Sequence, residues 1–222
     1  MPSTPVMRFP ASRRRLIAAA ALLGLAAVLP AVDPARADAL TEGAEAVVQA
    51  FADQGVLLLE DRAAPPAQRA EQFRGLLHKF FAMDAIARWV LARYWAQFDP
   101  AEQAEYRQLF EDLVVYGYVK RFGEYTGERL HIVRTVADSA SQATVFSTID
   151  RVGGGQPIRV DWKVGSHAGA FLITDVVVEN VSLSQTWRSD FAGTIQQGGP
   201  ASLLTTLRER TRQLKADLGV AN

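Results

Sequence analysis

The sequence predicts an α+β fold in which several helices pack against an antiparallel meander of about four to five strands. Apolar residues recur at helical intervals from residue 38 to about residue 125. From residue 128 to residue 184 they instead recur with a period near two, as in half-buried strands. The links between these strand segments are too short for crossover helices, so neighbouring strands are expected to run antiparallel.

The first 37 residues have the composition of a cleaved secretory signal. A run of three arginines at 13–15 precedes an apolar stretch at 16–29, and Ala35-Arg36-Ala37 provides a small-x-small cleavage site. The apolar stretch is shorter than the roughly 20 residues that span a bilayer. A short anchor helix is the alternative interpretation. The paired arginines fit the twin-arginine export route and the general route equally.

Cleavage after Ala37 would leave residues 38–222 as one domain. The 24 basic and 24 acidic residues of the whole chain fall to 19 and 23 in that segment, a net charge of −4. This balance lacks the basic footprint of nucleic-acid binding and the polybasic surface of membrane adsorption. The absence of cysteine excludes disulfides, a thiol nucleophile and a lipid-modified cysteine. We therefore expect an unanchored, soluble protein outside the inner membrane.

Helices are predicted for the first half of the mature chain. Pro66 suits the first turn of a second helix, and Asp84 is a plausible N-cap of a third. Asp99, Pro100 and Glu102 together predict a capping box that opens a fourth helix. Gly117 within that helix is expected to allow a close approach by a neighbour. The predicted helical segments are 38–60, 67–81, 85–98 and 100–125.

Strands and a closing pair of helices are predicted for the second half. The clearest alternation places Ile158, Val160, Trp162 and Val164 on one face of a strand. The apolar phase changes at 179–180, which predicts a β-bulge there. A helix carrying Trp187, Phe191 and Ile195 is expected to return over the sheet, stop at 198–200 and be followed by a last helix. The predicted strands are 128–138, 142–152, 157–166 and 170–184.

No catalytic or metal-binding motif is apparent. The three histidines lie in different elements, and none has a histidine or carboxylate three or four residues further along the chain. Neither a nucleophile elbow nor a phosphate-binding glycine loop occurs. Asp150 and Asp161 could lie on adjacent strands. If the protein were a cone-shaped α+β enzyme, His131 or Asp161 would be its acid or base.

The aromatic content permits two further interpretations. Four Trp, five Tyr and eleven Phe can fill a solid core, as in a protein-binding adaptor, or line a cavity. Periodicity cannot separate the two, because both use the same apolar faces.

Two segments carry a family resemblance. Residues 90–128, VLARYWAQFDPAEQAEYRQLFEDLVVYGYVKRFGEYTGE, and residues 175–199, DVVVENVSLSQTWRSDFAGTIQQGG, resemble the MlaC family. These toluene-tolerance auxiliary proteins are the periplasmic phospholipid-binding components of the Mla lipid-asymmetry pathway. The family usually has glycine where this chain has Ala92 and Asn180.

The resemblance implies a deep apolar pocket between helices and sheet, with acyl tails inside and the headgroup outside. It implies phospholipid as cargo, with no catalytic residue, metal or cofactor. The implied partners are an inner-membrane ABC transporter with an MCE-domain ring and an outer-membrane lipoprotein–porin complex. Relatives linked to hopanoid lipids are an alternative within the family.

The predicted pocket combines the inward face of the meander with one face of the fourth helix. Arg188 is a candidate polar group, although a structural salt bridge is its preferred interpretation. The predicted lipid-binding residues are Phe110, Val114, Tyr118, Val160, Trp162, Val164, Phe171, Ile173, Val176 and Val178.

Overall fold

Five α-helices and a five-stranded antiparallel sheet make up the part of the chain that the computed structural model describes, residues 34–220. Most of the predicted signal segment, residues 1–33, lies outside the described residues. The helices are α1 (Pro34–Glu60), α2 (Pro66–Phe80), α3 (Met83–Leu91), α4 (Pro100–Val119) and α5 (Leu183–Asp217). Two short 3-10 helices cover Ala92–Gln97 and Phe122–Glu124.

The start of α4 follows the predicted capping box. The backbone N–H of Glu102 donates to Asp99 Oδ1 at 2.8 Å, and the Asp99 N–H donates to Glu102 Oε2 at 2.9 Å. Both of these N–H groups lack partners within the helix, so the pair fixes where α4 begins.

The prediction of Asp84 as an N-cap is wrong. Helix α3 starts at Met83, and Asp84 lies in its first turn instead. The helix ends where Ala92 takes a φ of 47° and a ψ of −119°. A side chain disfavours this backbone, which explains why glycine suits the position.

The sheet has the predicted meander order, with each strand beside its sequence neighbour. Residues Phe81 and Ala82, between α2 and α3, pair with the fourth strand. Phe81 forms a parallel β-bridge with Ile173, and the Ala82 N–H donates to the Ile173 carbonyl at 2.9 Å. The strands are β1 (Leu130–Ala137), β2 (Gln142–Ile149), β3 (Ile158–His167), β4 (Ala170–Val178) and β5 (Val181–Ser182).

The bulge predicted at 179–180 is a turn. Glu179 and Asn180 have φ values of 49° and 66°, and Val178 pairs directly with Val181. Positive φ at both positions is the signature of a two-residue hairpin that twists with its strands. The extra residue instead lies earlier in β4, where Lys163 pairs with Asp175 but Val164 pairs with Ile173.

The core consists of two apolar layers. In the first, the N-terminal half of α1 lies on the sheet, and Leu40, Ala44 and Val48 are buried against it. In the second, α2, α3, α4 and α5 pack on one another. The sheet side of the first layer is formed by Ala143, Val145, Val160, Trp162, Val164 and Ile173.

Helix α5 has two halves that meet at a break. Gly199, with φ 76° and ψ −179°, interrupts the helical backbone at the predicted stop. In the first half, Trp187 packs on Phe110 and Phe191 packs on Tyr106, so this half contacts α4 in the antiparallel sense. The prediction that it lies over the sheet is therefore wrong, because its buried side chains belong to the helical layer.

The second half of α5 contacts α4 in the parallel sense. Arg208 pairs with Glu105, Lys215 with Asp112, and Lys120 with Asp217. The two halves of α5 therefore both pack on α4, but they run in opposite directions relative to it.

The backbone at Ala92 predicts a stability difference. We expect Ala92→Gly to raise the free energy of unfolding by about 1 kcal/mol, because it relieves the positive φ. Ala85→Gly, at an exposed position within α3, should lower it by about 1 kcal/mol through helix propensity. Urea unfolding of both variants measures this, and a loss of stability in both would contradict the strained backbone.

Candidate functional site

An apolar cavity of about 400 Å³ lies between the two layers. Its walls come from the C-terminal half of α1, from α2, α3 and α4, from the start of α5, and from strands β1 to β4. The lining side chains include Phe51, Val56, Leu58, Leu59, Phe73, Leu77, Phe81, Met83, Ile86, Phe122, Leu130, Ile149, Leu183 and Trp187. Such a size and lining are typical of a ligand site.

The sheet wall is built around Val160 and Trp162, which are successive inward positions of β3. The Trp162 indole N–H donates to Ser147 Oγ at 3.0 Å, and that hydroxyl donates to the Val160 carbonyl at 2.7 Å. The polar edge of the indole is therefore satisfied within the sheet. Phe51 of α1 packs edge-on against the ring, with centroids 5.6 Å apart.

The helical wall is one face of α4. Phe110, Val114 and Tyr118 are four residues apart and line the cavity on successive turns. Trp187 braces Phe110 edge-on at 5.1 Å, and Phe73 lies 6.0 Å from the Tyr118 ring. Burial raises the pKa of the Tyr118 hydroxyl, so the group stays protonated and uncharged at neutral pH.

Three polar residues reach the cavity wall, namely Glu128, Asp175 and Ser184. The Glu128 carboxylate accepts from the Thr126 N–H and hydroxyl at 2.8 and 2.7 Å and from the Gly127 N–H at 3.1 Å. These bonds lower its pKa to about 2. Asp175 accepts from the Ser182 hydroxyl and the Ser184 N–H at the start of α5. Both carboxylates therefore already accept hydrogen bonds from neighbouring groups of the protein.

The structure brings seven of the ten predicted site residues together on the cavity wall. They are Phe110, Val114, Tyr118, Val160, Trp162, Val176 and Val178.

The other three lie under the N-terminal half of α1. Val164 and Ile173 are fully buried between that helix and the sheet. Phe171 packs on Gly43, where a Cβ would overlap its ring. Gly117 does not allow the expected close approach, because a Cβ there would meet no atom within 4 Å.

Sequence reasoning missed the contributions of α1, α2 and α5 to the cavity. Gly55 is the clearest overlooked signal. It lies on the cavity wall in the C-terminal half of α1, and a Cβ added there would meet nothing within 4 Å. A glycine at this point costs helix stability and leaves space open.

The residues suspected of catalysis lie away from the cavity. His131 pairs with Asp150 at 3.0 Å, and Asp161 is bonded by the Arg159 guanidinium at 2.6 Å. Within residues 34–220, no three or more His, Cys, Asp and Glu side chains are grouped so that they could hold a metal ion. Arg188 stacks on the Trp89 ring at 4.6 Å rather than in the predicted salt bridge.

The fold and site define an α+β protein with an internal apolar cavity between a meander sheet and a helical layer. No helix in the described part of the chain combines the length and hydropathy needed to cross a bilayer. The chain belongs to the MlaC protein family, whose family model matches residues 49–209.

A solved structure shares this fold. It is the phospholipid-binding protein from Ralstonia solanacearum in complex with a phospholipid, 21% identical to this chain with a TM-score of 0.67. The alignment covers 77% of this chain and 98% of that one. A search of curated proteins found no matching relative.

The Glu128 carboxylate predicts a pH effect on stability. Because its pKa is lowered from 4.5 to about 2, it stabilises the fold above the unfolded value, and this contribution is lost as pH falls through that window. We expect Glu128→Gln to unfold with a smaller pH dependence between about pH 5 and pH 2 than the wild type. Glu124→Gln, in the same loop, is the control for urea unfolding over that range and should behave like the wild type.

Proposed function

We propose that this protein binds phospholipid, with the acyl tails in the apolar cavity and the headgroup toward solvent. The observation that carries the proposal is the cavity itself. Its walls are hydrocarbon and aromatic, and the carboxylates on them are already hydrogen-bonded. Such a space suits a ligand that needs removal from water more than it needs polar contacts.

Family membership and the solved structure support the same ligand. The chain belongs to the MlaC family, and the structural neighbour carries a bound phospholipid. The lining residues of the cavity support a ligand position between the two layers. The cavity extends from Leu130 and Ile149 at one end of the sheet to Leu183 and Trp187 at the start of α5. An apolar space of about 400 Å³ suits an acyl chain.

The energetics of such a complex keep the lipid bound to the protein and disfavour its release into water. Each buried CH₂ contributes about 0.8 kcal/mol relative to water, so a lipid with tens of such groups does not escape into solution. A bilayer offers its tails an equally apolar environment. Transfer between the cavity and a membrane is therefore nearly neutral, and a docked partner can drive it in either direction.

The full proposed role is that of a periplasmic shuttle, exported by a cleaved signal. It exchanges phospholipid with an inner-membrane ABC transporter bearing an MCE-domain ring and with an outer-membrane lipoprotein–porin complex. The cycle maintains outer-membrane lipid asymmetry and needs no cofactor and no covalent step. Family membership supports this role.

The first prediction concerns the cargo. Native mass spectrometry of the protein purified from cells without detergent should show a bound phospholipid, identified after organic extraction. Val114→Trp should lower occupancy at least severalfold, because the indole occupies tail space on the α4 wall. Val133→Trp is the matched control, since Val133 is 64% exposed on β1. A wild-type protein free of lipid, or equal occupancy in both variants, would contradict the proposal.

A second prediction separates binding from stability. Gly55→Leu should fill the cavity from the α1 side and gain about 1 kcal/mol of helix propensity. We expect the lipid-free variant to unfold at a higher temperature than the wild type while its lipid occupancy falls. Gly75→Leu, at an exposed position of α2, should gain stability without losing lipid. Thermal unfolding and lipid extraction of the two variants measure the difference.

A further inference from the structure

One cation beside the cavity wall, Arg69, forms no salt bridge with any other residue in the described part of the chain. Arg69 is in the first turn of α2, and Phe73 and Leu77 follow it at four-residue intervals on the same face. Both of those residues line the cavity. The Arg69 guanidinium carbon lies 5.3 Å from the centroid of Phe122, another lining residue. The half-buried arginine therefore extends the cavity-facing side of α2 by one turn.

The hydrogen-bonding state of Arg69 is unusual. Its Nε and Nη2 atoms are buried, and neither has a partner among the described residues. Buried donors without acceptors destabilise a fold, and more so when they are charged. A cation in the first turn of a helix is also disfavoured by the helix dipole. Native structures rarely retain such a group unless something else binds it.

The acidic groups on the cavity wall are already bonded elsewhere. Glu128 accepts from Thr126 and Gly127, and Asp175 accepts from Ser182 and Ser184. Other arginines of α2 and of the loop before it do find partners, as Arg74 does with Asp112 and Arg62 with the Tyr125 carbonyl. The Phe122 ring attracts the Arg69 charge through its face, but the two buried nitrogens still lack a conventional acceptor among the described residues.

We propose that Arg69 binds the phosphate of the lipid whose tails occupy the cavity. The inference rests on the proposed function and adds a specific polar contact to it. A guanidinium presents a planar fork of donors that matches two phosphate oxygens. At the edge of the apolar wall, it holds the phosphate while the rest of the headgroup stays in solvent. The site thereby selects an anionic phosphate ester over an uncharged lipid with the same tails.

The test compares two lipids that differ only in phosphate. Delipidated protein is equilibrated with mixed micelles that contain equal amounts of phosphatidylglycerol and diacylglycerol with identical acyl chains. Native mass spectrometry then gives the ratio of the two complexes. We expect the wild type to favour phosphatidylglycerol by about tenfold or more, as for a charge-assisted contact. Arg69→Met should reduce that preference about tenfold, and Arg69→Lys should restore part of it.

Two controls distinguish a phosphate contact of Arg69 from a structural role of the same residue. Arg121→Met removes the same charge from an exposed position and should leave the lipid ratio unchanged. The thermal stability of lipid-free Arg69→Met should equal or exceed that of the wild type, because Met keeps the apolar stem and removes two unsatisfied donors. A marked loss of stability in this lipid-free variant would show that Arg69 serves the fold and would overturn the proposal.

The outcomes also separate this inference from the proposed function. If the wild type binds neither lipid, the lipid-binding function itself fails. If it binds both equally, lipid binding stands and the phosphate contact is overturned. A further arm adds inorganic phosphate alone. If millimolar phosphate stabilises the wild type but not Arg69→Met while the two lipids still bind equally, the site takes a free anion instead of a headgroup.

Discussion

The whole arrangement depends on a mismatch between the sheet and the helix that covers it. The sheet presents an apolar face along the full length of β3, from Val160 to Val164. The N-terminal half of α1 buries only one end of that face, where Ala44 and Val48 meet Val164 and its neighbours. The other end must be shielded from water by something else. Helix α4 stands opposite it, and the space between them is the cavity.

The cavity stays apolar because polar atoms near it are satisfied within the walls. Tyr106, fully buried behind Phe110, donates its hydroxyl hydrogen to the Ala87 carbonyl at 3.0 Å. Trp162 donates to Ser147, and Asp175 secures the start of α5. Water gains little from entering a space with few free partners, so apolar cavities remain dry and bind apolar molecules. Arg69 is the exception, because two of its buried nitrogens have no partner among the described residues.

Much of this fold follows from local patterns in the sequence. The capping box at Asp99 and Glu102 fixes the start of α4, and the alternation from Ile158 to Val164 fixes the inward face of β3. Such features depend on neighbours a few residues away. The same locality explains why seven of the predicted site residues lie on the cavity wall, since each belongs to the apolar face of its element.

Other features depend on distant contacts and were not predictable in this way. Periodicity shows that Val164 and Ile173 face inward, but not that α1 crosses the sheet above them. That crossing is set by Gly43, which admits the Phe171 ring. The sequence shows the change of apolar phase near Glu179 and Asn180. A bulge at these residues would produce that pattern, but so does the observed turn there combined with an extra residue earlier in β4. Only the strand register separates them.

The far side of α4 has a consequence for how the cavity behaves when it is empty. Asp112, 5% exposed, bonds Arg74 of α2 at 2.8 Å and Lys215 of α5 at 3.2 Å. Separating a buried charge from its partners costs about 3–5 kcal/mol, so α4 does not move inward to fill the void. The binding wall is preorganised. An entering ligand therefore loses its own conformational entropy but demands almost none from the protein, and departure requires no refolding.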